Sequence, residues 1–338
     1  MTPQKKILIV GESGNHCLEM SYLEAFRSAG HDVRLFDSRK AVMRYAKPGK
    51  LGFQVHRFLP VDAWIKKANK DLINETRTFD PHLVLIFTGT EILPGTLAYL
   101  KSILSSRLAW YWADPLPNLS RYIHGSLPFV DFVLSYSESS LPVFRQMGAR
   151  EAVWLPFAGD LAAHFGEAGE QKQFDWDLSF IGSWRPEREA ALRIIHEHFP
   201  DFRLRISGPY WHRCTYKPVK KIASSKPVYG KAFADIVSRS FLNLNVMDDS
   251  NYPSVNMRFF EILTAGGAEI CSASPEMEKV FLDREHLLFF SDEQKLVEQI
   301  KYAIAHKEAI AMIRKQGQQL LKKQHLYTHR AATILGML

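Results

Sequence analysis

With 338 residues the chain is long for one ordinary domain, and two domains are expected. Its 46% hydrophobic and 23% charged residues describe an ordinary globular protein, and no apolar run approaches the roughly 18–20 residues that cross a bilayer. The net charge of +7 favours an anionic partner such as a nucleotide, a phospholipid surface or an acidic polymer, while Cys17, Cys214 and Cys271 are too scattered for a disulfide framework or a zinc site, so a cytoplasmic location is expected.

Lys5 to Val10 reads as a buried strand, too short for a signal-peptide core, ending in Gly11-Glu12-Ser13-Gly14-Asn15. Leu18 to Ala29 follows as an amphipathic helix and Val33 to Phe36 as a second strand. This β-α-β unit places a glycine loop at the carboxyl end of a strand, where open α/β sheets bind ligands, so Gly11, Ser13, Gly14 and Asn15 are candidate contacts. The loop lacks the full dinucleotide fingerprint, and Asn15 stands where a nucleophile elbow has glycine. Residues 39–60 are basic and read as an irregular surface loop or acceptor-side flap. A helix (61–78), a strand (81–87) running into Thr88-Gly89-Thr90, a helix (94–104) and a strand (108–112) follow. That last strand ends in Ala113-Asp114-Pro115, which makes Asp114 a candidate base or sugar contact. Strands over 130–135 and 152–155, with a helix over 141–147 between them, complete one doubly wound parallel sheet in a domain of residues 1–158.

The pattern lapses over residues 159–175, which read as a linker. It restarts in a second domain, residues 176–325. A strand over 177–181 ends in Gly182, with Arg185 and Arg188 just beyond, and a strand over 202–206 ends near Gly208. Val228-Tyr229-Gly230 reads as a short strand or turn, and Lys217, Lys220, Lys221, Lys226 and Lys231 as a solvated basic stretch. A helix over 232–239 and a strand over 241–246 lead to the most informative stretch, Ser254 to Cys271. Here Asn256 is a helix N-cap by residue type, Met257, Phe260 and Leu263 repeat at helical spacing, and Gly266-Gly267 ends the helix before a buried strand. A helix N-terminus gathers unpaired N–H donors that suit a phosphate, Arg258 adds a bidentate charge, and Glu261 could accept from the hydroxyls of a ribose. A helix from Pro275, a strand over 287–290 and helices from Asp292 to the end close the pattern. Asp248-Asp249 reads as a polar loop pair, His196 and His198 point apart on their helix, and no metal site is expected. Tyr327, Ala331, Ile334 and Leu335 make an apolar stripe, so residues 326–338 are expected to be a helix crossing back onto the first domain.

The order of these features resembles glycosyltransferases with two facing Rossmann-like domains, the GT-B fold, and within them the spore-maturation-protein-like (CgeB-like) group. Ser179-Phe180-Ile181-Gly182-Ser183 with Arg188 looks like that group's strand-glycine-arginine element. Asn256-Met257-Arg258-Phe259-Phe260-Glu261 looks like its Asn-x-Arg-x-Phe-Glu motif, and His325-x-Tyr327-x-x-Arg330 like its closing segment, with Leu326 in place of the usual Thr. Trp110 to Pro115 resembles its aromatic-Asp-Asp-Pro loop, with Ala113 in place of the first Asp. The resemblance implies an α/β fold of two Rossmann-like domains around a cleft and a metal-independent transfer of sugar from a nucleoside diphosphate, needing no cofactor besides that donor. By it, Glu261 binds the donor ribose, Arg185 or Arg188 with the helix N-terminus neutralises the diphosphate, and residues 228–230 contact the base. The acceptor, a glycan, a lipid-linked sugar or a protein, is held in the cleft. No nucleic acid partner is expected, and the basic stretch, read first as solvated, leaves open a peripheral membrane contact with lipid headgroups. Glu261 and Glu269 mimic the Glu-x7-Glu motif of related retaining enzymes, but there the second Glu takes the place of Glu261, so Glu269 reads as a charge at a strand start. The competing readings are a sugar-nucleotide epimerase or hydrolase of the same architecture and a non-catalytic nucleotide-sugar-binding protein.

Overall fold

The computed structural model describes residues 3–14, 17–46, 49–87, 91–169 and 173–338. Asn15 and Thr88-Gly89-Thr90 lie outside the described residues. The chain divides into two compact units, one of residues 1–156 with 327–338, the other of residues 157–326.

In the first unit the chain runs β1 (Lys6–Gly11), α1 (Leu18–Ser28), β2 (Asp32–Asp37), α2 (Ser38–Tyr45), α3 (Gly49–Phe58), α4 (Asp62–Phe79), β3 (Leu83–Phe87) and α5 (Pro94–Ile103). It continues through β4 (Arg107–Trp112), α6 (Ile123–Ser126), β5 (Phe132–Ser135), α7 (Leu141–Gln146) and β6 (Ala152–Trp154). The six strands lie in the order β2-β1-β3-β4-β5-β6, all neighbours parallel. A parallel sheet covered on both faces buries every side chain of its central strands, which is why Ile7-Leu8-Ile9-Val10 and Leu83 to Ile86 are unbroken apolar runs with no exposed surface.

The second unit runs α8 (Leu161–His164), β7 (Trp176–Ile181), α9 (Pro186–His198), β8 (Leu204–Ser207), α10 (Lys217–Ile222), α11 (Gly230–Ser238) and β9 (Ser240–Asn245). After these come α12 (Met257–Thr264), β10 (Glu269–Ser272), β11 (Leu288–Phe290), α13 (Glu293–Ala305) and α14 (Lys307–Gln324). Its five strands lie in the order β11-β10-β9-β7-β8, again all parallel. The last helix, α15 (Tyr327–Leu335), belongs to the first unit and packs on α1. Its ring from Tyr327 meets Tyr22 edge-on at 5.2 Å, and Arg330 donates from Nε to the carbonyl of Pro156 at 2.8 Å. Burial pushes the Arg330 guanidinium down, opposed by the neighbouring Tyr22, Tyr111 and Tyr327.

Four expectations differ. Residues 39–60 form α2 and α3 rather than a loop: Asp37 accepts from the Lys40 N–H at 2.7 Å as an N-cap, and Ala41 and Val42 bury one face while Arg39 and Lys40 stay in water. The stretch 159–175, read as a linker, contains α8, which is capped by Asp160 and packs on α11 and α12. The helix expected from Pro275 is a series of turns, with the Met277 N–H on the Ser274 carbonyl and the Val280 N–H on that of Met277. The basic stretch begins with α10, although Lys217, Lys220, Lys221, Lys226 and Lys231 are all exposed.

Candidate functional site

The candidate donor residues gather at the carboxyl ends of the second unit's strands, where unpaired strand and helix termini meet. Gly182 ends β7 and Gly208 ends β8, and the backbones touch: a Cβ on Gly208 would fall inside the carbonyl of Gly182. Gly208 also adopts φ +147, which no side chain tolerates well, so two separate constraints fix glycine here. The chain then turns through Trp184, whose indole donates to Glu189 at 2.6 Å. Burial would raise the Glu189 carboxyl, but bonds from Thr215, Trp184 and two backbone N–H groups hold it down to about 2.

Arg188, in the first turn of α9, reaches back to these strand ends. Nη1 donates to the Ser183 carbonyl at 3.0 Å and its hydroxyl at 2.8 Å, and Nη2 lies 3.5 Å from Asp248. Burial lowers its affinity for the proton; the charges of Arg185 and Arg258 act in the same direction, and Asp248 opposes them. Arg188 thus sits within range of two further positive charges, Arg185 and Arg258, a setting in which an added anion is favourable. Arg185 is exposed at the N-cap of α9. Asp248 is buried enough to raise its carboxyl, yet bonds from Ser250 and Asn251 and the charge of Arg188 keep it below the usual range. Its role is a counter-ion. Among the described residues no three His, Cys, Asp or Glu side chains gather as metal ligands do.

α12 supplies the rest. Phe259, Phe260, Ile262 and Leu263 bury its core face, with Met257 only half-buried, and leave Arg258 and Glu261 on the other side. Arg258 stacks on the Phe233 ring at 4.3 Å and pairs with Glu261 at 2.5 Å. Glu261 also lies 3.8 Å from Nε2 of His164. Asn256 stands at the N-cap position, but its side chain makes no capping bond, contrary to expectation. Instead it exchanges amide hydrogen bonds with Asn245 at 3.1 and 3.3 Å. Asn245 in turn donates to Glu269 at 2.8 Å. Glu269 does open strand β10, as expected, but it is fully buried rather than solvated, and burial drives its carboxyl well above the ordinary value. Tyr229 is half-exposed before α11, and Gly230 opens that helix at φ +56.

Sequence reasoning missed His164, Phe233, Asn245 and Glu269 as neighbours of this cluster. His164 and Phe233 lie far from Glu261 in sequence, and no spacing rule links them. Asn243-Leu244-Asn245 carried a signal: polar residues alternating inside a buried strand need partners.

In the first unit, the Glu12 and Ser13 backbone donors of the Gly11 loop are committed. The Glu12 N–H goes to Glu19 at 3.0 Å and the Ser13 N–H to Asp37 at 3.0 Å, and the Ser13 hydroxyl also donates to Asp37. A Cβ on Gly11 would strike Glu19, and one on Gly14 would meet Cys17. Gly11 thus serves close packing on the Glu19 carboxylate, and Gly14 on the Cys17 thiol. Asp114, just past β4, is exposed, and the protein around it raises its carboxyl by partial desolvation.

Residues 185–336 match a family model described as glycosyl transferase-like. Sucrose-phosphate synthase from Thermosynechococcus elongatus superposes with a TM-score of 0.70 at 11% identity, over 99% of this chain and 98% of that one. A glycosyltransferase from Rickettsia africae gives 0.70 at 9% identity, over 99% and 97%. Anabaena HepE, solved in complex with UDP-glucose, gives 0.66 at 12%, over 99% and 100%. The protein has the GT-B glycosyltransferase fold, with a glycosyl transferase-like second half. No curated protein matches its sequence. The matched segment opens at Arg185 and takes in Arg188 and α12, so it contains most of the polar residues of the cluster.

Proposed function

We propose that the protein transfers a sugar from a nucleoside-diphosphate sugar to an acceptor hydroxyl, as a member of the CgeB-like group. The observation that carries the reading is the placement of Arg188 just past the end of β7, held by Ser183 and Asp248 and within range of the charges of Arg185 and Arg258. A diphosphate is the anion that such a setting accommodates, with helix N–H groups adding to its neutralisation. In the reaction the bond from the anomeric carbon to the diphosphate oxygen breaks, the acceptor oxygen bonds to that carbon, and its proton passes to a base. Asp114 is proposed as that base or as a sugar contact, because a partly desolvated carboxylate holds a proton better than an ordinary one. Glu261 is proposed to hold the ribose, oriented by Arg258 and His164, and residues 228–230 to face the base. Arginine and backbone dipoles replace a metal in this scheme, with no cofactor besides the donor. The HepE complex with UDP-glucose makes a uridine donor the first to test. A cytoplasmic site of action is part of the proposal, supported by three free cysteines.

A melting panel of UDP-, GDP-, dTDP- and CDP-sugars should single out one donor that raises Tm. Arg258→Ala should then weaken the diphosphate more than the free nucleoside. Equal weakening of both removes the arginine from the site. Release of free sugar without acceptor would convert the reading to a hydrolase, and binding without turnover to a binding protein.

A further inference from the structure

A groove of about 650 Å³ opens at the opposite edge of the second unit's sheet. It lies at the amino ends of the strands, beside Asp177 of β7, Phe202 before β8 and Phe241 of β9, whereas the donor candidates sit at the carboxyl ends. Its volume is that of a small-molecule site, since such pockets span roughly 300–1,000 Å³. Three phenylalanines, Phe174, Phe202 and Phe241, give it apolar walls. α14 closes it with Lys307, Ala311 and Arg314, residues at i, i+4 and i+7 on one face of the helix.

The charges around the groove do not balance at its buried end. Arg203 is committed to Asp177, with Nε and Nη2 each 3.0 Å from a carboxylate oxygen. Lys307 and Glu308 are both exposed. Arg314 is only 3% exposed, and its guanidinium meets carbonyls alone: Nε donates to Gly266 at 2.9 Å and Nη2 to Ser238 at 3.0 Å. No carboxylate pairs with it among the described residues. It lies 5.0 Å from the Phe174 ring, and burial pushes its pKa down to about 10. A buried cation without a counter-charge is costly, and a guanidinium with a free edge selects a carboxylate.

We propose that this groove binds an amphipathic carboxylate, a single apolar chain lying along the phenylalanines with its acid on Arg314. The site is independent of the transfer reading and distant from the donor residues along the strands. The probes are sodium decanoate, decanol and decyltrimethylammonium, titrated calorimetrically into the full chain. Decanoate should bind one to one and raise Tm, with decanol about tenfold weaker or worse, the difference a charged hydrogen bond makes. Ala311→Trp, which fills the groove from an exposed helix position without removing any bond, should abolish the heat, and Arg314→Lys should reduce it. Decanol binding as tightly as decanoate, unchanged binding by Ala311→Trp, or displacement of decanoate by UDP would each overturn the proposal.

Discussion

Glu269 is the residue whose behaviour departs most from its chemistry in water. Its carboxyl has no exposed surface and one amide donor, Asn245, so folding favours the protonated form. A carboxyl whose affinity for the proton rises on folding supports the native state below its unfolded pKa and ceases to as pH climbs through the folded one. Glu269→Gln keeps the shape and is neutral at every pH. It should therefore raise Tm at pH 7–8, with the gain vanishing as pH falls toward about 4, near the unfolded pKa of a glutamate. A gain that persists at pH 4 would show that charge is not the cause. Glu261, three residues after Arg258 on α12, pairs with it and faces His164. Glu261→Gln should weaken the preferred nucleotide by about 1.5–3 kcal/mol, the worth of one charged hydrogen bond, as isothermal titration would measure. Unchanged affinity would remove it from the site. The pairing of Arg258 with Glu261 was legible, because a helix brings residues three apart onto one face. The amide pair of Asn256 and Asn245 was not, since a polar residue before a helix reads as its cap until a nearer partner is known.

At the scale of elements, the contact between two neighbouring strand ends at Gly182 and Gly208 shapes the carboxyl edge of the second unit's sheet. Gly208→Ala would meet both a left-handed backbone and the carbonyl of Gly182, and should cost about 2–5 kcal/mol in urea unfolding. A loss under 1 kcal/mol would mean that the two loops separate readily, on the scale of ordinary surface changes of about 0.5 kcal/mol. The strands were legible because buried parallel strands are continuous apolar runs, as Ile7 to Val10 and Leu83 to Phe87 show. The two helices over 38–58 were hidden by their charge. Arg39, Lys40 and Arg44 obscure a narrow apolar face, and the decisive feature, the Asp37 cap, depends on where β2 ends.

At the scale of the molecule, α15 completes the first unit from the far end of the sequence. Tyr22 and Tyr111 have no exposed surface, and Tyr327 and Arg330 are part of what covers them. Removing residues 327–338 should lower hydrogen-exchange protection in β1, α1 and β4 and reduce the melting temperature. Unchanged protection there would show that the helix adds nothing to that core. The stripe of Tyr327, Ala331 and Ile334 was visible as a helical repeat, but Arg330 interrupts it with a charge whose partner is a backbone carbonyl that no pattern displays.

The Gly159 N–H donates to the carbonyl of His325 at 2.8 Å, so the two ends of the second unit are stitched side by side. In gene terms that unit is a cassette: a single uninterrupted reading frame that enters and leaves at one point. Expressed alone as residues 157–326, it should melt cooperatively, because all five strands of its sheet keep their neighbours within the unit. The same geometry marks position 159 as the place to graft the cassette into another host or to exchange it for another of the same fold.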